Sequence, residues 1–196
     1  MLITSILYSL RYMKVLGLDL AGSSKRKTGF AYLEKDKLKV GIIYEDEHIL
    51  KLSQNFDLVM IDAPLSLPEG RRTIEDRGPH FRECDIKLRM YGIRFFPVTL
   101  GPMRMLTARA LKIKGILEAK GIKVFETFPG GLYDIFGVKR KDKEAIKNFY
   151  KSIGFTLEDR DYYQDELDAL ACLLSGMRYL SCKAMIFDGK DGVIVI

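Results

Sequence analysis

With 196 residues, the chain is long enough for one well-buried core and leaves little for a second. Its 47% hydrophobic and 30% charged content is that of a soluble globular protein. The 3 cysteines, odd in number and without zinc-ligand spacing, fit a reducing, cytoplasmic compartment, and the 2 histidines give little basis for a histidine zinc site or a Ser-His-Asp triad.

In chain order, residues 1–12 are mildly apolar. They lack a basic leader region and a clear cleavage site and are too short to span a membrane, so they read as an extension ahead of Met13, the expected functional start; a short amphipathic interaction segment is the other reading. Residues 14–20 form an apolar run expected to be a buried strand, followed by a polar turn at 22–27 and strands at 28–33 and 38–44. Their short connections predict an antiparallel meander. A short helix is expected over 45–53. Residues 57–62 form a fourth strand whose continuous apolar run suits a central, parallel position. Pro64 and Pro68 break the pattern, and 69–101 is an insertion too long for an ordinary loop, with a helix expected over 81–91. Leu106, Ala110, Ile113 and Leu117 recur at helical spacing within 103–119, and Gly121 stops that helix. A fifth strand is expected at 122–127, a turn at 128–131, a polar helix over 141–152, a buried helix over 165–180 and a closing hairpin of 185–188 with 193–196. A meander followed by β-α-β units makes one α/β domain over 13–196, with a mixed sheet flanked by helices.

Both apolar strands of this framework end in an acid: Val15-Leu16-Gly17-Leu18-Asp19 and Leu58-Val59-Met60-Ile61-Asp62. Ligands in such sheets sit at the carboxyl ends of the parallel strands. Asp165-Glu166-Leu167-Asp168 opens the late apolar helix, and Glu126 ends the fifth strand. Carboxylates at buried strand tips are costly without partners, and converging ones repel unless a divalent cation joins them. The expected cation ligands are Asp19, Asp62, Glu126, Asp165 and Asp168, with Asp19, Asp62 and Asp168 catalytic. Oxygen donors without histidine favour Mg2+ or Mn2+. Such a site activates water for in-line phosphodiester displacement. Each acid also has a plain structural role open to it. Asp19 and Asp62 suit turns, Asp165 suits a helix cap, Glu126 suits an arginine of the basic segment, and Arg82 with Asp85 suits a surface ion pair. On helical geometry Asp168 borders the core face while Asp165 points away from it, which favours Asp168.

Charge distribution adds a partner. Between Glu69 and Lys114 lie eleven basic residues against five acidic ones, which is the whole +6 excess, and eight of the eleven are arginine. Arginine suits bidentate phosphate binding, and Arg71, Arg72, Arg82 and Arg104 are the expected substrate contacts; a solvated helical face is the alternative. The partner is then a nucleic-acid backbone, bound without regard to sequence. The stretch Gly22-Ser23-Ser24-Lys25-Arg26-Lys27-Thr28-Gly29 lacks Walker A spacing, and no G-x-G-x-x-G follows the first strand.

Gly17-Leu18-Asp19-Leu20-Ala21-Gly22-Ser23, Thr28-Gly29-Phe30-Ala31, Ile61-Asp62-Ala63-Pro64-Leu65, Arg82-Glu83-Cys84-Asp85, Glu126-Thr127-Phe128-Pro129 and Asp165-Glu166-Leu167-Asp168-Ala169-Leu170, in this order, resemble the domain-of-unknown-function 429 family, described as predicted nucleases of the ribonuclease H-like fold. The resemblance covers nearly all of 13–196. It implies a five-stranded ribonuclease H-like sheet, three strands antiparallel and two parallel, and a metal-dependent nuclease. In the wider superfamily, Holliday-junction resolvases carry acids on the first strand, the fourth strand and a late helix, positions that Asp19, Asp62 and Asp165/Asp168 resemble. They have no counterpart of the long basic insertion. Two other activities remain open at this point: an actin- or sugar-kinase-like phosphotransferase using the 22–29 turn, and a nucleic-acid-binding module without catalysis.

Overall fold

The computed structural model describes residues 13–196; the expected extension at 1–12 lies outside the described residues. The first three strands, β1 (Val15–Asp19), β2 (Thr28–Glu34) and β3 (Lys37–Ile43), form the expected meander. Helix α1 (Asp46–Ser53) leads to β4 (Leu58–Asp62), which pairs in parallel with β1. The insertion follows, carrying α2 (Glu83–Met90), and then α3 (Pro102–Glu118) returns the chain to β5 (Lys123–Thr127), parallel to β4. The chain continues through α4 (Pro129–Ile135), α5 (Lys143–Ser152) and α6 (Gln164–Leu180) to the hairpin β6 (Ile186–Gly189) and β7 (Gly192–Val195).

The sheet has seven strands in the order β3-β2-β1-β4-β5-β7-β6, rather than five with a separate hairpin. β7 joins in parallel beside β5, with Glu126 opposite Ile194. An uncovered β5 would present a row of unpaired backbone groups, and the hairpin occupies that edge. A second departure is α4. The Phe128-Pro129-Gly130-Gly131 segment does not turn away as a loop but opens a helix with Pro129 in its first turn, where a missing N–H costs nothing.

Alternation along β1 and β4 explains the two-sided core. Leu16, Leu18, Val59 and Ile61 face Ala110, Ile113 and Leu117 of α3 together with Ile49 of α1. Val15 and Met60 face the other way, into a cluster with Leu167, Leu170, Leu173, Leu174 and Met177 of α6. Each such buried apolar side chain contributes about 1.5–3 kcal/mol. The same alternation places Gly17, Asp19 and Asp62 on the α6 side.

α6 sits flush on the sheet because two facing positions carry no side chain. A Cβ on Gly17 would lie 2.3 Å from the Ala169 carbonyl oxygen, and one on Gly29 would lie 1.8 Å from that of Asp165. Gly29 is the register partner of Asp19. The backbone of α6 therefore lies directly against the end of β1 and β2, and its first turns lie beside the Asp19 carboxylate. Gly29→Ala is expected to destabilise the protein by about 3 kcal/mol or more, because the obstructing atoms are backbone and cannot rotate aside. Urea unfolding measures this; a loss below 1 kcal/mol would mean the helix is free to lift from the sheet.

Candidate functional site

Leu18 and Ile61 are register partners on the parallel β1 and β4, so Asp19 and Asp62 follow as neighbours at the carboxyl ends of adjacent strands. Backbones of adjacent strands are about 4.8 Å apart. Asp165 and Asp168 reach the same end from the first turns of α6, and all four carboxylates are half-buried. Capping of α6 falls to another residue: Glu166 accepts the Tyr163 N–H at 2.8 Å and is paired with Arg160 at 2.8 Å. Asp165 is thus not the cap.

The electrostatics show that the acids feel one another. Burial raises the Asp19 carboxyl well above its usual range, and the charges of Asp62, Asp168 and Asp165 raise it further. Asp62 is raised likewise, by burial and then by Asp168 and Glu126, with Arg140 opposing. Burial pushes Asp168 up to about 6, partly offset by the Gln164 amide, which donates to its Oδ1 at 2.9 Å. Hydrogen bonds do not relieve Asp19 or Asp62. Beneath them the Cys172 thiol donates to the Leu18 carbonyl at 3.3 Å, and burial holds it neutral. Tyr133 and Tyr150 brace the first turn of α6, each donating to the Leu167 carbonyl at 3.0 Å.

Among the described residues, no three acidic, histidine or cysteine side chains converge as a ready-made cation site. The donor set nonetheless fits a hard divalent cation: oxygen ligands with unspent charge, close enough to raise each other's pKa values, on a neutral floor. The backbones of Asp19, Asp62 and Asp168 are held by two strands and a helix.

Glu126 stands apart. Its register partner is Ile61, whereas that of Asp62 is Thr127, so strand alternation turns Glu126 to the opposite side of the sheet from Asp62. Its carboxylate is taken by Arg82, with Nη1 and Nη2 each donating at 2.6 Å, and by the Leu65 N–H at 2.7 Å. This is the arginine pairing left open by the sequence, and it withdraws Glu126 from the cation ligands. Arg82 in turn is no surface phosphate contact. It is fully buried, and it also donates to both Asp85 oxygens and to Ser66. The Arg82–Asp85 pair is a core ion pair, not a surface one. Burial works to discharge the guanidinium, and Glu126 and Asp85 outweigh it, so the Arg82 pKa moves up.

The remaining arginines differ. Arg71 staples its own loop, donating to the carbonyls of Pro79 at 2.7 Å and Gly78 at 2.7 Å. Arg104 is paired with Glu75. Arg72 is exposed, with its side chain free of hydrogen bonds among the described residues. A nearer source of positive charge is the 22–29 turn, which the sequence offered only to the phosphotransferase reading. Lys25, Arg26 and Lys27 line a cleft of about 580 Å³ with Asp165, Gly22 and Met103, next to the acids. The polar composition of 22–27 signalled this turn, but not that it borders the carboxylates. Arg109 fixes its start, donating to the Ala21 carbonyl at 2.6 Å while paired with Asp46 at 2.8 Å.

Two outcomes follow from these charges. The fold binds protons at its raised carboxyls more tightly than the unfolded chain does. The stability that these raised carboxyls contribute therefore falls as pH rises from about 4, and the share due to Asp168 is spent above about 6. In metal-free buffer at pH 7, Asp62→Asn is expected to raise the thermal midpoint by about 2–4 °C or more; a lower midpoint in calorimetry would contradict the repulsion. Arg82→Met is expected to cost about 3–5 kcal/mol by stranding Glu126 and Asp85, and adding Glu126→Leu should recover part of it in chemical denaturation.

No family model matches the chain, and no curated protein matches it. Among solved structures, it is similar to T. thermophilus RuvC in complex with Holliday junction substrate, at 12% sequence identity and a TM-score of 0.45, over 88% of this chain and 98% of that one.

Proposed function

We propose that this protein is a metal-dependent nuclease that hydrolyses phosphodiester bonds of DNA or RNA. The observation that carries the reading is the set of three carboxylates, Asp19, Asp62 and Asp168, at one end of one sheet face, raised in pKa by burial and by the charges of neighbouring acids. The ribonuclease H-like resemblance of the sequence supports it. So does the observed sheet, in which β1 to β3 run antiparallel and β1, β4 and β5 run parallel.

Asp19, Asp62 and Asp168 would hold Mg2+ or Mn2+, with Asp165 at the margin. A bound divalent cation at this position supplies activation of water and charge stabilisation for the leaving oxygen. The chain's own residues supply the rest. Asp19, which feels the charges of Asp62, Asp168 and Asp165, is suited to orient the attacking water. Asp168, restrained by Gln164, is fixed in direction. Lys25 and Arg26 on one flank and Arg72 on the insertion offer exposed positive charge to the backbone of the substrate.

A nucleic-acid-binding module without catalysis is the reading favoured by the carboxylates not being gathered in advance. A phosphotransferase of the kinase-like type needs a second lobe to close over nucleotide, and the strands among the described residues all belong to one sheet.

Labelled single-stranded, duplex and branched substrates decide between them. Cleavage is expected with Mg2+ or Mn2+ and not with chelator. Asp19→Asn, Asp62→Asn and Asp168→Asn should each lower the rate on the order of 100-fold or more while the protein stays folded. Mn2+ should also raise the thermal midpoint of the wild type and leave that of Asp62→Asn unchanged. Salt-sensitive binding with neither cleavage nor a metal-dependent midpoint would establish the binding module instead.

A further inference from the structure

Beside Asp62, between the carboxyl end of the sheet and the insertion, lies a cavity of about 230 Å³. Its walls are aromatic: Phe95 and Phe96 from the insertion, and Phe128 from the end of β5. Phe95 is held in place by edge-to-face packing on Phe81, with ring centroids 6.0 Å apart. Arg140 braces the opposite wall. Its guanidinium lies 5.2 Å from the Phe128 ring centroid, and it donates to the Arg94 carbonyl at 3.1 Å. Phe96 is 77% exposed, an unusual cost for a phenylalanine that covers nothing in the core.

Thr127 also lines the cavity, and it is an independent pointer to a ligand. It is 1% exposed, and its hydroxyl oxygen has no hydrogen-bond partner. Buried hydroxyls are almost always satisfied, so one left open against a cavity marks a place where a ligand atom fits. Thr127 is the register partner of Asp62, so this hydroxyl and that carboxylate sit on neighbouring strands. At the rim, the exposed Arg94 side chain has no partner among the described residues.

Aromatic side chains, an open hydroxyl able to donate or accept, a cation at the rim and a phosphate-handling carboxylate beside it match the parts of a nucleotide, while the other charged lining groups, Arg82, Asp85 and Glu126, are already paired with one another. The cavity is smaller than the roughly 300–1,000 Å³ of sites for drug-sized ligands, which suits one heterocycle and excludes a base pair. We propose that it receives a single unstacked nucleobase, whose own phosphate is thereby delivered to the carboxylates at Asp62. This rests on the nuclease reading and narrows its substrate to strands with an unpaired base, because extruding a base costs least where it is unpaired.

Binding without cleavage tests the pocket separately from the chemistry. Fluorescent oligodeoxythymidylate, oligouridylate and an abasic strand of the same length are titrated onto the protein in chelator. At least one base-bearing strand is expected to bind about tenfold more tightly than the abasic one, in line with stacking of one base on aromatic side chains. Phe96→Ala, at an exposed position that leaves folding intact, should remove that advantage without changing abasic binding, and Thr127→Val should alter the preference between thymine and other bases. If the base-bearing and abasic strands bind alike while the wild type still cleaves with Mn2+, the pocket proposal is overturned and the nuclease reading stands. If no strand binds and none is cut, both are overturned.

Discussion

The seating of α6 on β1 and β2 is the contact on which the rest of the architecture depends. At Gly17 and Gly29 the helix backbone meets the strand backbones with no side chain between. Ordinary helix-on-sheet packing leaves a layer of side chains between the two backbones. Here the layer is missing at the end where the acids lie. A helix held one side-chain layer further away would move Asp165 and Asp168 away from Asp19 and weaken their repulsion. The close approach thus sets both the packing of one core and the charge density at its edge.

That density has a thermodynamic character. Three carboxylates raised by burial and by neighbouring acids constitute stored repulsion, and the fold bears it because large apolar clusters on both faces of the sheet supply the compensation. Several other buried charges are matched by a partner. Arg82 is matched by Glu126 and Asp85, Arg109 by Asp46, and Glu166 by Arg160. The contrast between satisfied and unsatisfied charge within one small domain is what separates a structural acid from one set aside for chemistry. Glu126 and Asp62 illustrate it, since they lie near the ends of neighbouring strands but on opposite sides of the sheet, and only Glu126 meets an arginine there.

Much of this was legible in the chain itself. The apolar runs ending at Asp19 and Asp62 are marked by burial pattern alone, and the periodicity of α3 and α6 needs no tertiary information. The fate of Glu126 was not legible, because it depends on the register between β4 and β5, which no local pattern specifies. Arg82 was misread as a solvent-facing residue of a basic segment, since its main partner lies 44 positions away. The helix at Pro129 was hidden by two glycines that read as a turn. A Cβ on Gly131 would lie 2.7 Å from Cδ1 of Ile196, so that glycine reflects close packing against the chain terminus rather than a bend. The hairpin was recognised as a hairpin, but its docking on β5 is a long-range event.

The clamp around the insertion carries a further meaning for how the molecule assembles. Asp191, in the turn between β6 and β7, accepts the N–H of Glu69 at 3.0 Å and that of Glu83 at 2.8 Å, so residues near the end of the chain secure both the entry to the insertion and the start of its helix. Arg82 ties the same segment to β5. A ribosome emitting this polypeptide must therefore pass Asp191, 108 residues beyond Glu83, before the insertion finds these anchors. Until then a strongly basic, aromatic-bearing segment waits without these partners, because they lie far along the chain from it.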